Sequence, residues 1–173
     1  MNKSLFIYLI SLCTFTHIIR TIYEILKHRK IVIPDNLSFY IIFFNMVLLW
    51  SSWFLLCSFD KSNLNLPQVL NYFGLFLIIA GVIIFLTALF TIKTLETYTG
   101  DLITKGVYPK IRHPMYFGFL LWLTGAPLFY GGLYSFIISI PFIINILFWR
   151  YLEEIELAKR FSEYPFYKRK TFF

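Results

Sequence analysis

The segment GVYPKIRHPMYFG, residues 106–118, places polar groups directly before an apolar run. We call it the RHP segment. Pro114 has a fixed φ and no N–H, which suits the first turn of a helix, and His113 before it is disfavoured in the α region. Backbone N–H groups at a helix start attract anionic or polar ligand groups. Tyr116 adds a hydroxyl, so the pattern predicts either a polar binding site or a positively charged membrane anchor with an interfacial tyrosine.

A second polar cluster, RYLEEIELAKRF at residues 150–161, follows the last apolar run. Two adjacent carboxylates at a helix C-terminus would interact unfavourably with the macrodipole, so the helix is predicted to continue to about Phe161. Arg150 and Glu154 then lie one turn apart on one face. A solvated, salt-bridged helix is the alternative interpretation.

The composition predicts that the chain is embedded in a lipid bilayer. Of the 173 residues, 58% are hydrophobic and 14% are charged, which is too little charge to cover a soluble domain. We therefore expect one integral membrane domain over residues 1–173. The net charge is +7, and the basic residues lie mostly between or after apolar spans, a pattern of membrane orientation and not of nucleic-acid binding. Cys13 and Cys57 fall inside apolar runs and are predicted to be buried, and no metal-ligand spacing occurs.

Apolar run lengths predict an all-α protein with about five transmembrane helices. Residues 5–26, 37–59 and 69–92 form three N-terminal spans, and the first, which lacks a signal-peptide cleavage site, is expected to be retained. Residues 115–149 would make a helix of about 52 Å, too long for one crossing of about 30 Å. Gly131 and Gly132 interrupt this run, which predicts a helical hairpin followed by a cytoplasmic helical tail. Residues 93–173 would thus hold the binding loop, hairpin and tail.

The basic loops follow the first, third and fifth spans, which predicts an external N-terminus and a cytoplasmic C-terminus. The hairpin would return the Arg150 and Glu154 pair to the face of the membrane that holds His113. In the first span, Arg20 and Glu24 share a helical face. They are interpreted either as a snorkelling arginine with a local ion pair or as part of the site.

The stretch DLITKGVYPKIRHPMYFGFLLWLTG, then a hairpin and RYLEEIELAKRF, resembles the isoprenylcysteine carboxyl methyltransferase family of integral membrane enzymes. The resemblance covers about residues 100–161 and rests on two motifs, their order and the hairpin between them. It implies binding of S-adenosylmethionine at the cytoplasmic face. It also implies contact with membrane lipids and a lipophilic or amphipathic methyl acceptor. The carboxylate of a prenylated cysteine is one candidate for this acceptor.

The resemblance also implies roles for single residues. Arg150 would bind the acceptor, and Arg150 and Glu154 would be the catalytic pair. The implied cofactor contacts are Gly100, Asp101, Leu102, Ile103, Tyr108, His113, Pro114, Met115, Tyr116 and Glu154.

Three classes of function stay open at this point. Within the methyltransferases, phospholipid N-methylation and small-thiol methylation are alternatives to carboxyl methylation. Membrane sterol reductases carry a similar arginine-histidine-proline-x-tyrosine signature in much longer chains. A non-catalytic membrane protein with a degenerate site is the third alternative.

Overall fold

The computed structural model describes residues 3–92 and 101–173, and over these ranges the chain folds as a helical protein. The helices are α1 (Lys3–His28), α2 (Asn36–Phe59), α3 (Gln68–Ile92), α4 (Pro114–Tyr130), α5 (Leu133–Arg160) and α6 (Tyr164–Lys170). The predicted all-α fold class is confirmed, and so is the extension of the last long helix to the end of the acidic cluster.

Four of the described helices, α1, α2, α3 and α5, are long and apolar enough to cross a membrane. Helix α4 has 17 residues and is about 26 Å long, at the lower limit for a crossing. The fifth crossing therefore stays a prediction. Large side chains on the outer face of α3, such as Phe76, Ile83 and Phe90, are more than half exposed, as expected for a surface that faces lipid.

The hairpin between α4 and α5 turns at the two glycines that the sequence indicated. Gly131 has a φ of 69°, a left-handed conformation that is accessible to glycine at little cost. The N–H groups of Gly131 and Gly132 both donate to the carbonyl of Pro127, which closes the end of α4. Gly132 is the residue that precedes α5, so the turn is complete within two residues.

The loop after α2 is fastened to this turn. The N–H of Ser135 donates to Asp60 Oδ2 at 2.7 Å, so the carboxylate binds a free N–H of the first turn of α5. The N–H of Leu133 donates to the carbonyl of Ser62 at 2.9 Å. This polar end lies opposite the end of the helix bundle where the RHP segment begins α4.

Helices α3 and α4 approach closely because glycines face each other at two levels. A Cβ on Gly81 would lie 2.7 Å from the carbonyl oxygen of Gly118, and a Cβ on Gly74 would lie 2.7 Å from that of Gly125. Small residues at such a crossing let two backbones pack directly in an apolar environment. This packing sets the position of α4, and therefore of its N-terminal residues, relative to α3.

Candidate active site

The RHP segment enters α4 with the geometry that its sequence predicts. His113 is the N-cap residue with φ −122° and ψ 65°, outside the α region, and Pro114 occupies the first turn. No side chain caps this helix start, so its first N–H groups remain available for a ligand. The N–H groups of Arg112 and His113 donate to the carbonyls of Phe172 and Phe173, which holds the tail against the segment.

Arg112 and Glu154 form a buried ion pair between the RHP segment and α5. The Arg112 Nε and Nη2 atoms lie 3.0 and 2.8 Å from Glu154 Oε1. Arg112 Nη1 donates to the carbonyls of Lys168 and Thr171, each at 3.2 Å. Lys168 Nζ donates to Glu154 Oε2 at 2.6 Å. The pair therefore joins the RHP segment, α5 and the α6 region in one network.

The His113 ring lies between the two adjacent glutamates of α5. Its Nε2 atom is 3.5 Å from Glu154 Oε1 and 3.4 Å from the Tyr164 hydroxyl, and its Nδ1 atom is 3.9 Å from Glu153 Oε2. The predicted convergence of His113 and Glu154 is confirmed. The ring is 4% exposed, so it is buried between α5 and α6 and does not lie open at the interface.

Helix α6 covers the network through its two tyrosines. Tyr164 is 1% exposed, and the Tyr167 hydroxyl donates to the carbonyl of Tyr108 at 2.8 Å. Burial raises the pKa of Tyr167 to about 12, so the neutral donor form persists at physiological pH. The tail is thus bound to the RHP segment by both side-chain and backbone bonds.

A cavity of about 830 Å³ opens beside this network and extends between α2 and α4. Its polar wall includes His113, Tyr116, Glu153 and Glu156, together with Asp101 of the preceding loop. Its apolar wall comes from α2, α3 and α4 and includes Phe43, Met46, Trp50, Phe85, Leu89 and Phe119. The volume lies within the range of ligand sites, and the two walls suit a ligand with a polar and an apolar part.

Most of the predicted cofactor contacts line this cavity. They are Asp101, Leu102, Ile103, Tyr108, His113, Pro114, Met115 and Tyr116. Gly100 lies outside the described residues. Among the predicted site residues that the structure describes, Arg150 and Glu154 do not line the cavity. Glu154 instead faces Arg112 and Lys168, so the predicted pair lies behind the polar wall.

Arg150, one turn before Glu154 on α5, contacts the same network. Its guanidinium lies 4.4 Å from the centre of the Phe173 ring, and its Nε atom is 4.0 Å from Glu154 Oε1. That buried Nε has no hydrogen-bond partner among the residues that the structure describes. The acceptor-binding role of Arg150 stays a prediction.

Two residues of the site were missed by reasoning from the sequence. Arg112 was given no role of its own, although it is next to His113 in the motif. Glu153 was treated as the neighbour of Glu154, although its side chain is 43% exposed and reaches the cavity. A signal was present in both cases, because each residue is adjacent to a predicted one. The helical rotation of about 100° per residue decides which neighbour faces the cavity.

Comparison with known proteins agrees with the motifs. A family model described as "Phospholipid methyltransferase" matches residues 69–164, more than half of the chain. The chain belongs to the phospholipid methyltransferase family. Protein-S-isoprenylcysteine O-methyltransferase B of Arabidopsis thaliana is 36% identical over 93 residues, which are 49% of this chain and 45% of that protein. The predicted family resemblance is therefore confirmed. No solved structure matches.

The family match covers only part of the site. It includes α3, the RHP segment, α4 and α5, and so the cavity residues His113, Tyr116 and Glu153. Helices α1 and α2 precede the matched residues, yet both contribute side chains to the cavity wall. This family member also matches the curated relative over less than half of that protein's length. The N-terminal contribution to the site is thus visible in the tertiary structure alone.

Proposed function

We propose that this protein is a membrane-embedded methyltransferase that moves a methyl group from S-adenosylmethionine to a lipophilic or amphipathic acceptor. The cavity is the observation that carries the proposal, because it joins the start of α4, the carboxylates of α5 and an apolar wall between α2 and α4. Family membership implies a methyl donor. The cytoplasmic position of the site is part of the proposal and rests on the basic loops.

The residues of the polar wall fit S-adenosylmethionine. The uncapped start of α4, at Met115 and Tyr116, can bind a carboxylate through backbone N–H groups. Glu153 and Glu156 can accept hydrogen bonds from an ammonium group or from ribose hydroxyls. Tyr108 adds an aromatic side chain to the same wall. These groups are complementary to the anionic, cationic and hydroxyl parts of one molecule.

The chemistry requires the protein to position the reactants and to exclude water. S-adenosylmethionine, when bound, supplies a methyl group on a sulfonium cation, which is transferred by direct displacement. The apolar wall, with Trp50 and Phe119, would desolvate the acceptor, and the polar wall would orient it. A carboxylate acceptor is already ionised at neutral pH and needs no general base. Arg150 is proposed to help hold such an anion through its guanidinium, since the side chain is 25% exposed.

Two acceptor chemistries follow from the comparisons. The name of the Arabidopsis protein specifies O-methylation of a protein S-isoprenylcysteine, which favours a prenylated cysteine carboxylate. The family description favours the amine of a phospholipid as the second candidate. Both acceptors combine an apolar anchor with a polar head, as the two walls of the cavity require.

The decisive experiment measures binding of S-adenosylmethionine to the detergent-solubilised protein by calorimetry. We expect His113→Ala and Glu153→Gln each to weaken binding at least about tenfold, or roughly 1.4 kcal/mol, because each removes a polar cavity contact. Glu154→Ala should weaken it as well, through displacement of the RHP segment. Glu163→Gln, an exposed carboxylate before α6, is the matched control and should leave binding unchanged.

Radiolabelled methyl transfer to a prenylated cysteine and to phosphatidylethanolamine then identifies the acceptor. Arg150→Ala should lower turnover strongly and leave donor affinity nearly unchanged, and Arg150→Lys should recover activity only in part. Binding of NADPH in place of S-adenosylmethionine would refute the proposal in favour of a reductase. Binding of neither molecule would indicate a non-catalytic protein.

A further inference from the structure

The tail, residues 161–173, turns back after α5 and runs along that helix toward its apolar part. Lys168 Nζ is 2.6 Å from Glu154 Oε2, and five residues later the Phe173 ring lies 4.4 Å from the Arg150 guanidinium. Arg150 is one turn before Glu154 and directly follows the last apolar run of the sequence. The tail therefore ends beside the start of the apolar part of α5.

Phe172 of the tail contacts the first turn of α4. Its ring centre is 5.6 Å from that of Phe117, and its backbone bonds to Lys110 and Arg112 fix its position. The Phe172 side chain is nevertheless 63% exposed. Aromatic side chains are enriched at the level where lipid headgroups meet acyl chains. An exposed phenylalanine beside the start of an apolar helix fits that level.

Helix α6 has one buried face and one exposed, basic face. Tyr164 and Tyr167 are buried against the site. Phe166, Arg169 and Lys170 are one helical turn apart and lie on the opposite side, and we call them the outer face. Phe166 is 56% exposed, and both cations are exposed. Lys170 Nζ lies 4.0 Å from the centre of the Phe166 ring, so charge and aromatic surface are adjacent.

Arg169 and Lys170 keep their positive charges at the surface. Lys168, the third cation of this run, is paired with Glu154 and is not part of the outer face. In the described part of the chain, neither Arg169 nor Lys170 forms an ion pair. The acidic residue of the tail, Glu163, precedes α6 and lies at its other end. The helix macrodipole favours cations at a helix C-terminus, but it does not account for an exposed phenylalanine beside them.

We propose that the outer face, together with Phe172, binds anionic phospholipids at the membrane surface. Arg169 and Lys170 would contact the headgroup phosphates, and the two phenylalanines would enter the boundary between headgroups and acyl chains. The opposite face of α6 covers the site, so the bound lipids would hold this cover in place. The outer face follows the family match and does not line the cavity, so the inference does not depend on the proposed methyltransferase function.

The first test measures the preference for an anionic headgroup. Native mass spectrometry of the full chain in detergent gives the affinity for the first bound phosphatidylglycerol and for the first bound phosphatidylcholine. A cation near an anionic surface contributes about fivefold, or roughly 1 kcal/mol. We expect phosphatidylglycerol to bind at least about tenfold more tightly to the wild type, and Arg169→Gln/Lys170→Gln to reduce this ratio below about threefold.

Lys61→Gln removes an exposed cation from the opposite end of the helix bundle and should leave the ratio as in the wild type. Glycerol 3-phosphate, which has the phosphate but no acyl chains, should not displace the bound phosphatidylglycerol. Displacement would identify a site for a soluble phosphate and would overturn the inference.

The second test locates the bound lipid by hydrogen exchange in nanodiscs, where both leaflets carry the same lipid and the orientation of the protein does not matter. Amides of residues 164–173 should exchange at least about fivefold more slowly in nanodiscs with phosphatidylglycerol than in pure phosphatidylcholine. Residues 61–66, at the opposite end of the bundle, should exchange equally in both lipids.

Arg169→Gln/Lys170→Gln should abolish this difference and leave the melting temperature in phosphatidylcholine unchanged, because both side chains are exposed. Equal exchange of the wild-type tail in both lipids would refute the inference. So would a preference for phosphatidylglycerol that the double variant retains. A lower melting temperature of the double variant in phosphatidylcholine would assign the two cations a structural role and would also overturn it.

Discussion

Replacement of Arg112 by methionine tests the link between the RHP segment, α5 and the tail. Methionine is apolar, of similar length and lacks all the donors. The change removes two bonds to Glu154 Oε1 and the bonds to the carbonyls of Lys168 and Thr171. It leaves the Glu154 carboxylate buried, with Lys168 and His113 as its remaining close partners.

The expected loss of stability follows from this arrangement. Removing one partner of a buried ion pair costs about 3–5 kcal/mol, because the other charge is left in a poorly solvated place. Lys168 is 51% exposed and can still compensate Glu154, so the lower limit applies. We expect Arg112→Met to lower the free energy of unfolding by about 3 kcal/mol. Arg112→Lys should lose less, since it keeps the charge but not the planar donor group.

Denaturant titration of the detergent-solubilised protein measures this free energy. Lys110→Met, at an exposed position of the same segment, is the control and should change stability by less than about 0.5 kcal/mol. A double-mutant cycle with Glu154→Gln should give a coupling energy above about 1 kcal/mol. A loss below about 0.5 kcal/mol for Arg112→Met, or strict additivity in the cycle, would refute the reasoning.

Two further predictions concern topology and alkaline pH. Cysteines introduced at the exposed positions of Lys61 and Lys105 should react with impermeant reagents from opposite sides of the membrane, and labelling from the same side would contradict the orientation. Burial raises the pKa of Tyr167 to about 12, so the phenol ionises at lower pH in the unfolded chain than in the folded one. Its contribution to the free energy of unfolding should therefore be complete below pH about 10 and be lost as the pH rises toward about 12. Tyr167→Phe should therefore show a smaller decrease in melting temperature over this interval than the wild type. Equal slopes would argue against the burial of the Tyr167 phenol.

The local features of the fold were predictable because short-range physics controls them. The length of the apolar run 115–149 exceeds a bilayer, so the chain must turn, and Gly131 allows the left-handed conformation at the turn. Pro114 and His113 restrict their own φ and ψ, and these restrictions place the start of α4. Whether α4 crosses the membrane was less predictable, because its 17 residues are close to the minimum length for a crossing.

The sequence by itself determined the helices, the hairpin, the meeting of His113 with Glu154, and the family of the protein. Only the tertiary structure decided which of two adjacent glutamates faces the cavity, because neighbours on a helix point in directions about 100° apart. It also decided that Arg112 pairs with Glu154, across 42 positions of sequence. The cleft that Lys27 shares with Glu153 depends on how α1 packs against α5, and such packing arises from side chains far apart in the chain. The spacing of a motif reflects local helix geometry, whereas a cavity wall is formed by helices that are far apart in the sequence.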